Sequence, residues 1–448
     1  MTSIAEALLY KRVAIPEEFI SVVDGRRVGG DIRIGDLTGD GRVDFLVYKA
    51  LGGIKPSFIG AFDLEGKPLW SAGDRAASVE DADGTGALET VSPDRPGPVA
   101  VYDIDGDGRQ EVLCLMVDEG VKRTSKWNLQ GVHLALLDGA TGEVKRRATP
   151  DKLTRCNAYE GGEAHLPNYV HQRLMIANLT GQGRDFVVKL GNDVLAFNDR
   201  LEVLWSYRNK WYRYPEHSAY IPAVGDLDGD GLDEVNGGHF GLDHDGRVLW
   251  ERFVGDNADS VLVEAWNGNM AAIVSGKGQV LDGKGEALLH LGEEAVPHGQ
   301  EVRCGNFRPD LPGRELAIRY NGHHPDIMIV GAYGEILTRF AVDESPNNTG
   351  MESVRWSDEG DLLFSPSALF DGHGRKVVTL PELPPPSGGK MGWYHCFPAD
   401  VCGDKREEVV LYDPYGDAVY IYTPAPLDEA AYGGYQHAAR QYNARLLD

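Results

Sequence analysis

Short apolar runs rich in Val, Leu, Ile and Phe recur along the whole chain, separated by turns dense in Gly, Asp and Asn. That pattern predicts β-strands joined by tight turns. Each unit runs as an apolar strand, an acidic Gly-rich turn, a second apolar strand, then a turn of the type D/N-G-x-G and a further strand. The acidic turns begin at Asp36 (DLTGDGRVD), Asp103 (DIDGDGRQE), Asn178 (NLTGQGRDF), Asp226 (DLDGDGLDE), Asn306 (NFRPDLPGRE) and Asp400 (DVCGDKREE), with weaker copies near Trp266 and Trp356. The second turns recur as FDLEGKPLW, LLDGATGEV, FNDRLEVLW, LDHDGRVLW, VLDGKGEAL, GAYGEILTR, LFDGHGRKV and DPYGDAVYIY, so both series have eight members.

Units of this size, built from short antiparallel strands, predict an all-β propeller, a closed ring with no long exposed sheet edge. Eight blades is the first reading; seven follows if the Trp266 or Trp356 copy merges with a neighbour. Residues 1–448 are read as one propeller domain. Within it, 1–28 supply the ring-closing strand through YKRVAIPEEFISVV, and 424–448 form a tail. The less regular segments 82–99, 117–131 and 148–170, with the Pro-rich loop at 381–389, are read equally as places for substrate contacts and as family-specific decoration. Trp70, Trp205 and Trp250, in the repeated LW pairs, are expected to pack between blades. The stretch YRNKWYRYPEH at 207–217 suits either packing or a stacking platform for sugar rings.

Composition narrows the function. With 44 Lys+Arg against 69 Asp+Glu the net charge is −25, and no basic run appears, which argues against nucleic acid or an anionic membrane surface as partner. The first residues, MTSIAEALLYKRVAIPEEF, hold no long apolar leader, and no run is long and apolar enough for a membrane span. The expectation is a cytoplasmic protein, or a secreted or periplasmic one if a leader was removed. Five cysteines without a CxxC pair suggest neither zinc nor redox chemistry.

The acidic turns carry metal-type spacing. Asp226, Asp228, Asp230 and Glu234 stand at positions 1, 3, 5 and 9 of a glycine-bent loop, like the first part of a calcium loop of hard oxygen ligands. Asp103, Asp105, Asp107 and Glu111 repeat the set, and Asp36, Thr38, Asp40 and Asp44 nearly so. Recurrence in several blades points to calcium as a structural cofactor at several sites.

Residues just before each innermost strand should face the mouth of the central channel. Those positions hold His171, His217, Tyr220, His298, Tyr394 and His395, accompanied by Tyr169, Arg173, Gln300 and Arg303; Tyr214 and His239 join them as candidate substrate contacts. One such histidine alone reads as a structural, hydrogen-bonded group, whereas four at equivalent places read as a site. Imidazoles and phenols suit acid–base chemistry on a sugar, and an Arg suits a uronate carboxylate. In uronate β-elimination the carboxylate must also be neutralised, by Arg173 or by a calcium ion at the mouth.

The segment YIPAVGDLDGDGLDEVNGGHFGLDHDGRVLW from Tyr220, with HGQEVRCGNFRPDLPGREL and IRIGDLTGDGRVDFLVY, resembles the calcium-bearing propeller of rhamnogalacturonan lyases, polysaccharide lyase family eleven. The likeness runs in order through most of the chain. Similar seven-bladed propellers occur in ulvan lyases and in enzymes acting on rhamnose linked to glucuronate. The resemblance implies a lyase that cleaves a rhamnose–uronate linkage in an oligosaccharide or polysaccharide. His171, His217 and Tyr220, in YVHQR and HSAY, would then transfer protons, and Arg173 would anchor the carboxylate. A rhamnosidase-type hydrolase on the same scaffold and a non-catalytic propeller binding glycans or proteins are the alternatives.

Overall fold

The computed structural model describes residues 5–23, 25–51, 55–73, 79–80, 88–89, 91–92, 98–117, 132–154, 174–190, 192–211, 216–345, 350–386, 393–426 and 433–435. Among them, eight antiparallel sheets follow one another as the blades of a propeller. Blade 1 starts with Asp31–Gly35, blade 2 with Val99–Tyr102, blade 3 with Leu174–Ala177 and blade 4 with Ala223–Gly225. Blade 5 starts with Val261–Trp266, blade 6 with Glu301–Gly305, blade 7 with Glu352–Ser357 and blade 8 with His395–Ala399. These first strands adjoin one another around the axis. The weak copies at Trp266 and Trp356 are full blades, 5 and 7, so the seven-bladed alternative falls away.

There is no single core. Eight apolar clusters each fill the gap between two successive blades, from Leu46, Tyr48, Val99 and Val112 between blades 1 and 2 round to Ile32, Phe45, Phe397 and Val410 between blades 8 and 1. Successive side chains of a strand point to opposite faces. In Glu111–Val117, Val112 and Cys114 therefore pack toward blade 1 while Leu113 and Leu115 pack toward blade 3. Burial on both faces is why the inner strands read as unbroken apolar runs and not as alternating ones.

The N-terminal segment closes the ring. Ala5–Glu6 runs parallel to Lys376–Thr379 of blade 7, and Leu8–Ala14 then pairs antiparallel with Ala418–Thr423 as the outermost strand of blade 8, from Leu8 opposite Thr423 to Ala14 opposite Ala418. Among the described residues no helix is long and apolar enough to cross a membrane.

Candidate active site

In a four-stranded antiparallel blade, the turns after the first and third strands share one face of the ring, and the remaining connections share the other. The acidic turns follow the first strands; His217, Tyr220 and His298 precede them. The two sets therefore lie on opposite faces. An ion held by an acidic turn would therefore lie on the face away from the histidines, in keeping with the structural role read for the turns.

On the histidine face, the link into blade 4 carries His217, fully enclosed, with Nδ1 3.1 Å from the carbonyl oxygen of Ser218. A carbonyl only accepts, so Nδ1 carries a proton. Tyr220 Oη is hydrogen-bonded to His217 Nε2 at 3.0 Å, with the two rings stacked at 4.4 Å and 13°. Asp259, from the link into blade 5, places Oδ1 3.3 Å from the same Nε2 and Oδ2 3.4 Å from Nε2 of His298, in the link into blade 6. Asn257 Nδ2 donates to Asp259 Oδ2 at 3.0 Å. One buried carboxylate thus joins two imidazoles from different blades.

His298 is the more open of the pair, with 29% of its side chain exposed. Its hydrogen bond to Asp259 raises its pKa above the usual histidine value, against burial and with help from Asp256. Asp256 Oδ2 lies 3.8 Å from His298 Nδ1 and 3.4 Å from Lys277 Nζ. Behind the group, His239 packs against Trp211 and Phe253, and burial drives its pKa down to about 3, with the nearby His217 pushing the same way. Lys189 is buried and donates to the Ala219 carbonyl at 2.7 Å; loss of solvent pulls its pKa down to about 7.

The other predicted residues are placed elsewhere. Arg303 is buried inside the first strand of blade 6, where Nε and Nη2 each lie 3.2 Å from a carboxylate oxygen of Glu352. His395 is buried in the first strand of blade 8 with Nδ1 3.2 Å from Tyr412 Oη, and Tyr412 donates to Asp31 at 2.6 Å. Tyr169, His171, Arg173 and Tyr214 lie outside the described residues. Asp256, Asn257, Asp259 and Lys277 did not emerge from the sequence. The signal was there: GDNADS precedes blade 5 as the segment with His217 precedes blade 4.

On the opposite face, Asp226 accepts hydrogen bonds from the backbone of Gly229 (2.7 Å) and Gly231 (3.0 Å), and Glu234 Oε2 accepts from Leu227 (2.7 Å). Glu234 Oε1 is buried without a hydrogen-bond partner, and burial beside Asp228 and Asp230 pushes the carboxyl up to about 8. Ligand atoms of Asp226, Asp228 and Asp230 lie within 4.8 Å of one another, as do those of Asp230, Glu234 and His244. Converging hard oxygens and an orphaned buried one fit a calcium-type cation. Asp103, Asp105 and Glu111 converge likewise, with Asp107 beside them on the turn. In blade 1, Asp36 accepts from Gly39, Asp40 and Gly41, and Asp44 accepts from the Thr38 amide and hydroxyl.

No family model matches the chain. Over 260 residues it is 26% identical to the rhamnogalacturonan endolyase YesW of Bacillus subtilis, a match spanning 50% of this chain and 40% of that protein. The rhamnogalacturonan exolyase YesX of the same organism matches at 26% over 271 residues, with the same coverage. These relatives are rhamnogalacturonan lyases. The match spans well under half of each relative's length. Among solved structures, rhamnogalacturonan lyase YesW superposes with a TM-score of 0.69 at 19% identity, covering 93% of this chain and 76% of that one. A rhamnogalacturonan lyase of Bacillus licheniformis superposes with a TM-score of 0.66 at 20% identity and the same coverage. The Vibrio cholerae biofilm matrix protein Bap1 follows at 0.58 and 12% identity, over 99% of this chain and 93% of its own. At these identities the likeness is one of fold.

Proposed function

We propose that the chain is a polysaccharide lyase that cleaves a rhamnose–uronate linkage of the rhamnogalacturonan type by β-elimination. The observation that carries this reading is the hydrogen bond between Tyr220 and His217 Nε2, backed by Asp259. A base removes the uronate C5 proton, the C–H electron pair becomes the C4–C5 double bond, the C4–O bond breaks, and the departing oxygen takes a proton. Tyr220 keeps some exposure while His217 has none, so the phenol meets the sugar and the imidazole exchanges its proton from behind. Asp259 stabilises the charge that His217 gains on accepting that proton. His298, whose pKa Asp259 raises, is assigned to the uronate carboxylate; His171 and Arg173 are added on the strength of the resemblance. Calcium, held by Asp226, Asp228, Asp230 and Glu234 on the far face, would serve the fold.

The ultraviolet absorbance of the new double bond tests this on rhamnogalacturonan, ulvan and rhamnosyl-glucuronate oligosaccharides. Tyr220→Phe and His217→Ala should each slow the rise by about 10²–10⁴-fold. A flat trace with free rhamnose would make the enzyme a hydrolase, and no product from any glycan would make the propeller a binding module.

A further inference from the structure

The third and fourth strands of each blade meet in a register that repeats around the ring. Just after the turn, Pro68, Val144, Val203, Val248, Ala287, Ile336 and Lys376 pair with the ends of the third strands in blades 1 to 7. The residue after each is Leu69, Lys145, Leu204, Leu249, Leu288, Leu337 and Val377 in the same order. Six of these seven blades place an aliphatic side chain there; among them, blade 2 alone places a cation.

That cation sits in the acidic turn. Lys145 Nζ lies 2.6 Å from Asp105 Oδ2, 2.9 Å from Glu111 Oε1 and 3.4 Å from Asp107 Oδ2, the oxygens of loop positions 3, 9 and 5. Glu111 uses its other oxygen on the Ile104 amide, at 2.9 Å. In blade 4 the same geometry recurs with one difference. Glu234 Oε2 holds the Leu227 amide, but Oε1 is buried with no partner, and among the described residues no Lys or Arg pairs with Asp226, Asp228, Asp230 or Glu234.

We propose that Lys145 is a built-in replacement for the metal ion in blade 2, so that the Asp103–Glu111 turn takes no divalent cation while the Asp226–Glu234 turn of blade 4 takes one. This rests on the reading of the acidic turns as cation sites. An ammonium within hydrogen-bond reach of three of the carboxylates fills the space a calcium ion would need and takes up the oxygens that would bind it. Blade 2 then keeps its turn at any calcium concentration, whereas blade 4 depends on the ion.

The test counts calcium ions per chain after chelator treatment, re-equilibration with calcium and desalting. Asp105→Asn should leave the wild-type count unchanged, and Asp228→Asn should lower it by one. Lys145→Met, which matches the apolar residue of the other blades, should raise it by one. Loss of an ion in Asp105→Asn would overturn the role of Lys145, as would an unchanged count in a folded Lys145→Met. An unchanged count in Asp228→Asn would instead overturn the calcium reading of blade 4. Should Lys145→Met fail to fold, Asp105→Asn decides alone.

Discussion

His217 and His298 share one carboxylate yet hold their protons differently. His217 is enclosed and hydrogen-bonded to Tyr220, while His298 is partly open and held toward its charged form by Asp259. Replacing Asp259 with Asn should lower the His298 pKa toward the ordinary value near 6.5. NMR titration of that imidazole measures the shift, and the alkaline arm of the rate profile should move with it. His239 shows the opposite linkage. The unfolded side chain gains a proton below about pH 6.5, whereas the folded one waits until about 3. Between those values the unfolded state binds more protons, so stability falls as pH falls, by on the order of 4 kcal/mol at the acid end. Urea unfolding at several pH values should show that slope, and His239→Phe should flatten it. The residues the sequence singled out that come together are those in the links preceding first strands, His217, Tyr220 and His298. Arg303 and His395 lie within first strands, where flanking blades bury them, and pairing with Glu352 and Tyr412 satisfies them there. Sequence position alone does not separate the two settings.

Between blades, the repeated LW and D/N-G-x-G patterns answer each other. Trp70 Nε1 donates to the Gly139 carbonyl and Trp205 Nε1 to the His244 carbonyl, both at 2.7 Å, each reaching the second turn of the next blade. Where that turn carries a glycine, the indole lies against it. Gly246 has φ +83°, and a Cβ there would stand 2.7 Å from Trp205. Gly246→Ala therefore meets both backbone strain and an aromatic wall, and should lower stability by about 2 kcal/mol, measured by thermal melting. The packing role read for these tryptophans needed only the period of the repeat, because every blade meets its neighbour in the same way. Lys145 was not legible, since nothing in VKRR marks which Lys or Arg reaches the turn; that follows from strand register.

Across the whole ring, stability depends on closing it. Val13 is 1% exposed within the strand that completes blade 8, and its neighbours belong to the cluster joining blades 8 and 1. Val13→Asp places an unpaired carboxylate in that seam and should cost about 4 kcal/mol or more, again by thermal melting, while a surface change such as Lys11→Ser costs little. The eightfold count was legible because turns repeat even where their ligands have decayed. The opposition of the two faces was not, since it comes from strand direction. That opposition separates the acidic turns from the histidines, and elimination itself is the claim to test first. Mass spectrometry of the products from a rhamnogalacturonan oligosaccharide is the most direct measurement. β-Elimination predicts fragments whose masses sum to that of the substrate, one of them carrying an unsaturated uronate, with their formation lost in Tyr220→Phe. Fragments that together carry one added water would contradict the account.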